Sequence, residues 1–217
     1  RLMIIFHGCT LPRGWERMYP NFVGSEAVLA SENLMFTQQS NDDEAKSACT
    51  HTFIRNSLAS MEFGGSVLNR KWSRDNKRGN TRRTTDAFEL STAVLFQNPV
   101  QNFALAPNNL YDVPAFEIDF MKSVPTTWDD VKFIEGYPGK YCVMARRHNN
   151  TWYVCGINAE GSAKQIEIDL SDFGFAQEEC YLISDAENGG AKEEMAKVKN
   201  NILKVEMLPE GGFVARF

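Results

Sequence analysis

The chain has 217 residues, of which 43% are hydrophobic and 24% charged, with a net charge of −5. These proportions are globular and exclude a disordered or collagen-like chain. The acidic balance argues against nucleic acid as the main partner, because phosphate binding needs a basic face, and no apolar run approaches the ~20 residues of a membrane span. Cys9, Cys49, Cys142, Cys155 and Cys180 are scattered without a C-x-x-C pair, so buried free thiols are expected rather than a zinc site or a disulfide framework.

The chain opens on the apolar run Leu2-Met3-Ile4-Ile5-Phe6, bounded by His7-Gly8. A short run of this kind reads as a fully buried strand of a parallel sheet. Such a strand needs neighbours on both sides and none precedes it, so the expectation is a piece of a longer polypeptide. His7–Gly24 reads as a long loop, and Ser25 as the N-cap of a helix over Glu26–Gln38. A second helix is expected near Glu44–Ser60, after Asn41-Asp42-Asp43. Phe88, Leu90, Ala93, Val94 and Leu95 suit a well-buried helix over Asp86–Gln97, closed before Pro99. A short helix then starts at Pro114, where the missing N–H costs nothing, and runs to Met121.

From about Val124 the period changes. Tyr141–Ala145 and Trp152–Gly156 flank the polar turn His148-Asn149-Asn150-Thr151 and predict a hairpin. Gln165–Leu170 alternates as a half-buried strand, and Cys180–Ser184, Ile202–Met207 and Phe213–Phe217 add further strands. Several short strands at this spacing indicate a β-sandwich. Trp152 and Tyr153, successive in one strand, fit the core of that sandwich. Two domains are expected, 1–123 of strand–loop–helix texture and 124–217 all-β.

Residues that carry chemistry concentrate in His7–Glu32: His7, Arg13, Trp15, Glu16, Arg17, Tyr19, Asn21, Glu26 and Glu32. In a barrel of alternating strands and helices the active site lies beyond the C-terminal strand ends, so a loop directly after Leu2–Phe6 occupies the reactive face. Cleavage of a glycosidic bond needs two carboxyl groups flanking it, and the loop supplies candidates for part of that. Glu26 and Glu32 stand about 240° apart on one regular helix; they converge only if the helix starts late or a cleft wraps its N-terminus. Trp15 reads equally as a sugar-stacking ring and as a buried loop anchor. The basic stretch from Arg70 to Arg83 reads as a solvated lid in a Gly/Asn-rich loop rather than as a nucleic-acid site.

His7-Gly8-Cys9-Thr10-Leu11-Pro12-Arg13-Gly14-Trp15-Glu16-Arg17, Tyr19-Pro20-Asn21 and Gly24-Ser25-Glu26-Ala27 resemble glycoside hydrolase family 97. So do Arg82-Arg83-Thr84-Thr85-Asp86, Phe120-Met121-Lys122-Ser123-Val124-Pro125-Thr126-Thr127 with Trp128, and Gly136-Tyr137-Pro138-Gly139-Lys140-Tyr141. The resemblance runs over essentially the whole chain. It implies the C-terminal part of a (β/α)₈ TIM barrel over 1–123, followed by an antiparallel β-sandwich over 124–217.

The resemblance also implies roles. Glu32 matches the proton-donating carboxylic acid, Glu26 and Glu32 match positions that bind an active-site calcium ion, and His7 matches a histidine lining the sugar pocket, against the plainer reading of a buried histidine at a strand end. Gly8 stands where the inverting α-glucosidases of the family carry a glutamate that serves as base and calcium ligand. Glycine there is similar to the retaining, α-galactosidase-like branch, whose nucleophile is an aspartate on an earlier strand, before Arg1. The implied function is retaining hydrolysis of a terminal α-galactoside or oligosaccharide, with the upstream barrel segment as partner and a periplasmic or secreted location. The alternatives are inverting α-glucoside hydrolysis, against which Gly8 speaks, and a non-catalytic carbohydrate-binding protein.

Overall fold

A computed structural model describes residues 2–8, 11–174 and 177–217; Cys9 lies outside them. Strand β1 (Ile4–Phe6) pairs in parallel with β2 (Phe22–Ser25), with a short helix α1 (Trp15–Met18) between them. The parallel order extends through a bridge from Ser25 to Met61, and the Met61 N–H donates in turn to the Gln97 carbonyl at 2.9 Å. No closed barrel is present among the described residues; the parallel part is this short open array. Leu2 is 81% and Met3 71% exposed, so the expected fully buried strand is not observed, since β2 covers only one flank.

The stretch expected as helix 26–38 divides otherwise. Ser25 ends β2, and its side chain accepts from the Arg55 guanidinium instead of capping a helix. Ala27 has a positive φ of 48°, which breaks any regular turn, and only Ser31–Met35 coils, as a 3₁₀ turn. Helix α2 runs over Gln38–Ile54, capped by the Thr37 hydroxyl, which accepts from the Ser40 N–H. It therefore begins and ends about six residues before the expected span. Asn41 lies inside it because its buried amide satisfies the Leu34 and Thr37 carbonyls. Helix α3 (Asp86–Leu95) matches expectation except at its end, where Phe96 turns extended. Two further helices, α4 (Asn109–Asp112) and α5 (Ala115–Ser123), follow, with Pro114 as N-cap of α5.

The remaining chain is a β-sandwich. Strands β3 (Asp130–Tyr137), β4 (Tyr141–His148), β5 (Thr151–Asn158), β7 (Glu179–Asp185), β8 (Ala191–Lys197) and β10 (Gly212–Arg216) form an antiparallel sheet in the order β3-β4-β5-β10-β7-β8. Strands β6 (Lys164–Asp169) and β9 (Ile202–Met207) form a separate antiparallel pair. Strands β3 and β8 are additions to the elements read from the sequence.

Alternation along the six-stranded sheet separates two cores. Val143, Trp152, Val154, Leu182, Phe213 and Ala215 face β6 and β9. Cys142, Tyr153, Cys155, Ile157, Ile183 and Val214 face the helices and join Phe88, Leu90, Val94 and Leu95 of α3 in one cluster. All of α3 except Asp86 is buried. Cys49, Cys142, Cys155 and Cys180 are buried free thiols, as expected.

Beside α3 lies a group of buried charges: Glu44, Arg82, Glu89 and Glu117. Glu89 is well satisfied, accepting from the Val67 N–H at 2.9 Å and the Thr84 hydroxyl at 2.6 Å. The Arg82 guanidinium pairs with Asp86. Burial pushes the Glu117 carboxyl up to about 8.

Candidate active site

Each parallel strand delivers one ionisable residue from its C-terminal end. β1 is followed by His7, β2 by Glu26, and the bridge residue Met61 by Glu62. The Glu26 N–H donates to the Phe6 carbonyl at 2.8 Å, so the two strand ends stay in register. Beneath Glu26, the buried Arg55 donates to the carbonyls of Ser25 (2.7 Å), Glu26 (3.2 Å), Ala59 (3.1 Å) and Ser60 (3.0 Å). A guanidinium presents five N–H donors in a rigid fork, so one side chain fixes both segments.

The 3₁₀ turn carries Glu32 to the same place. His7 Nδ1 lies 3.1 Å from the Glu62 carboxylate and 3.4 Å from that of Glu26, while Nε2 lies 3.0 Å from Glu32. The late start of the coil brings Glu26 and Glu32 together where a regular helix would have separated them. His7 is half exposed, so it is not the buried strand-end histidine. Its pKa is raised, first by the hydrogen bond to Glu62 and then by the charge of Glu26. The imidazolium donates from both nitrogens, which suits carboxylates on either side.

Glu26 is 2% exposed, and burial pushes its carboxyl above the usual range, while the Gly8 amide and the His7 charge oppose the shift. Gly8 has φ +65°, the left-handed region that glycine enters without strain, and its N–H points at the Glu26 carboxylate. A backbone amide thus stands beside Glu26 where a residue with a carboxylate would add a further negative charge.

His7, Glu26, Glu32 and Glu62 line an open cleft of about 360 Å³, with Trp72 and Met35 on its wall. Trp15 is not among them. It packs edge-to-face on Phe6 and Phe22, with ring centroids 5.6 and 6.0 Å away, and borders a separate depression with Ile4 and Tyr19. Of its two readings, the contacts of Trp15 among the described residues are those of a loop anchor. Glu62, Arg55 and Trp72 were not singled out in the sequence; the signal available for Glu62 was a lone carboxylate within the short apolar run Met61-Glu62-Phe63.

Ligand atoms of His7, Glu26 and Glu32 lie within 4.8 Å of one another, and Glu62 adjoins them through His7. A donor set dominated by carboxylate oxygens fits a hard divalent cation such as calcium. No helix among the described residues is long and apolar enough to cross a membrane.

Residues 127–217 match the family described as Glycosyl-hydrolase 97 C-terminal, oligomerisation. Over 99% of its length the chain is 30% identical to 31% of a protein named probable retaining alpha-galactosidase from Streptomyces bingchenggensis. Over its whole length it is 29% identical to 34% of a retaining alpha-galactosidase from Bacteroides thetaiotaomicron. A crystal structure of a beta-arabinopyranosidase superposes with a TM-score of 0.94 at 56% identity, covering all of this chain and 34% of that one. A family 97 enzyme from Pseudoalteromonas sp. strain K8, in complex with panose, shares the fold at a TM-score of 0.79 and 24% identity, over 98% of this chain and 34% of that one. The chain thus spans about a third of these relatives. Residues 127–217 thus belong to the C-terminal domain of glycoside hydrolase family 97, and over its whole length the chain is similar to a portion of the retaining alpha-galactosidases and shares the fold of the family 97 enzyme.

Proposed function

We propose that the protein containing this chain hydrolyses terminal galacto-configured pyranosides with retention of anomeric configuration, and that this chain supplies the acid side of the site. The carrying observation is the convergence of His7, Glu26, Glu32 and Glu62 in one cleft at the C-terminal ends of parallel strands. Catalytic groups of β/α barrels sit at that end, and in this reading residues 1–123 complete a barrel begun upstream, with the all-β part following. Glu32, the more exposed carboxylate, protonates the leaving oxygen and then deprotonates water. The nucleophile comes from the upstream segment, within ~5 Å as retention requires.

The substrate class follows from two relatives with different names. An α-D-galactopyranoside and a β-L-arabinopyranoside share one ring configuration and differ by the hydroxymethyl group at C5. A site shaped for that configuration serves either, which reconciles the alpha-galactosidases with the beta-arabinopyranosidase. Gly8 supports the retaining course, since no side-chain base stands at that position.

Glu26 and Glu32, with Glu62 adjacent, would hold calcium in this proposal. When bound, the cation supplies positive charge that favours ionised carboxylates and orients sugar hydroxyls. The periplasmic or secreted location belongs to the same proposal and rests on the family resemblance.

The test is proton NMR of the sugar released by the full-length protein from aryl α-galactoside, aryl β-L-arabinopyranoside and aryl α-glucoside. Early α-galactose or β-arabinose is the expected product. Early release of the opposite anomer would overturn retention, and β-glucose alone would restore the inverting α-glucosidase. Absence of any turnover would favour the carbohydrate-binding alternative.

A further inference from the structure

Trp72 lies in the basic loop that composition marks as a solvated lid, yet it is partly buried and lines the same cleft as His7 and Glu32. Its orientation is determined from several directions. The indole N–H donates to the Asn41 side-chain oxygen at 3.3 Å, and Asn41 is itself buried, with its amide donating to the Leu34 and Thr37 carbonyls at 2.6 and 2.9 Å. The backbone of the loop is closed by a bridge between Lys71 and Thr81, and the Trp72 N–H donates to the Asn80 carbonyl at 3.2 Å. Asn80 in turn donates to the Leu34 and Met35 carbonyls.

These bonds end on the 3₁₀ turn that carries Glu32. The indole and the carboxylate are therefore mounted on one hydrogen-bonded unit, with the polar edge of the ring turned inward. A tryptophan with its N–H satisfied inside the protein and part of its ring on a cleft presents an apolar surface at low entropic cost. Met35 and Leu105 add apolar surface to the same lining that holds the carboxylates of Glu26, Glu32 and Glu62.

We propose that Trp72 is the stacking wall of the sugar site, taking the apolar face of a galacto-configured pyranose and setting its distance from Glu32. In this configuration the C–H groups at C3, C4 and C5 point to one face of the ring, which gives an aromatic wall a continuous apolar partner. The inference rests on the proposed sugar site and adds the residue that holds the ring there; Asn41 acts as a positioning residue through Trp72.

The experiment titrates galactose and L-arabinose calorimetrically into the full-length protein bearing Glu32→Gln, so that binding is read without turnover. On that background Trp72→Ala is expected to weaken Kd by at least about tenfold, the factor that 1.4 kcal/mol represents, and Trp72→Phe by less than about threefold. In the otherwise wild-type enzyme Trp72→Ala should raise KM far more than it lowers kcat. Unchanged affinity in the alanine variant overturns the inference. So does a phenylalanine variant as weak as alanine, which would mark the indole as a structural anchor, and so does failure of the parent to bind either sugar. Trp72-dependent binding in a protein that turns over no glycoside would uphold this inference and sink the hydrolase reading; retaining turnover with KM unmoved by Trp72→Ala would do the reverse.

Discussion

The Thr85 hydroxyl accepts from the Phe88 N–H at 3.0 Å and donates to the Asp185 carboxylate, so the group that caps α3 also ties it to β7. Asp185 collects the Leu208 and Gly212 amides as well, at 2.8 and 3.0 Å. Burial raises its pKa, while these donors hold it down.

Thr85→Ala removes an N-cap and one donor to a buried carboxylate. A cap alone contributes ~1 kcal/mol and a buried charged hydrogen bond ~1.5–3 kcal/mol. Hydrogen exchange of the full-length protein should show the α3 and β7 amides opening more easily by about 2–3 kcal/mol, with β6 and β9 less affected. Equal loosening of all strands would refute this local coupling.

Gly212 lies where α3 meets the sheet. A Cβ there would stand 2.7 Å from the Gly156 carbonyl oxygen and 2.9 Å from Phe88 Cα, both backbone atoms that cannot swing aside. Overpacking of this kind costs ~1–3 kcal/mol. Gly212→Ala is expected to lower the thermal midpoint by several degrees, against little change for Gly161→Ala, which meets nothing within 4 Å.

The buried Glu117 carboxyl, raised to about 8 by burial and by the nearby Asp86 charge, gives a signed pH dependence. Below the unfolded value near 4.5 both states hold the proton. Between 4.5 and about 8 the unfolded chain loses it while the folded chain keeps it, so this contribution to stability falls as pH rises and is gone above about 8. Glu117→Gln, neutral throughout, should raise the denaturation midpoint relative to wild type at pH 9 and leave it nearly unchanged at pH 4. A variant less stable than wild type at both pH values would contradict the assignment.

In the full-length protein, Glu32→Gln should cut turnover by ~10²–10⁴-fold, the usual range for a positioned proton donor. Its circular dichroism should not change, since Glu32 is 42% exposed at the side chain. Retained turnover would remove Glu32 from the acid role.

Calcium should raise the melting temperature of the full-length protein through preferential binding to the folded state, with ~2.7 kcal/mol gained at a hundredfold excess over Kd. Glu26→Gln should abolish that rise. A calcium response that survives in this variant would place the ion elsewhere.

Much of the β-half was legible because its strands alternate cleanly: Gln165–Leu170 and Ile202–Met207 show period two in sequence and pair in the structure. Strand β8 is not legible in the sequence because Ala-Lys-Glu-Glu-Met-Ala-Lys has helical composition, and pairing along β7 makes it extended. Strand β3 was hidden by a register shift between Phe133 and Glu135 that disrupts its alternation. In the cleft, proximity of Glu26 and Glu32 depended on a turn beginning at Ser31, which Ala27 in a left-handed conformation makes necessary and no pattern announces. Glu62 and Trp72 reach the cleft by tertiary pairing alone, so no spacing rule connects them to His7.

Helix α3 packs on the six-stranded sheet and shares one core with Met61 and Phe63 beside the cleft, together with Ile183 and Val214. The family match begins at residue 127, yet a gene fragment cut there would uncover the seat of α3 and leave Tyr153, Ile157 and Val214 facing water. The β-half is therefore not a portable module. Moving it as a folded unit would require carrying α3 with it, because the two surfaces close one core.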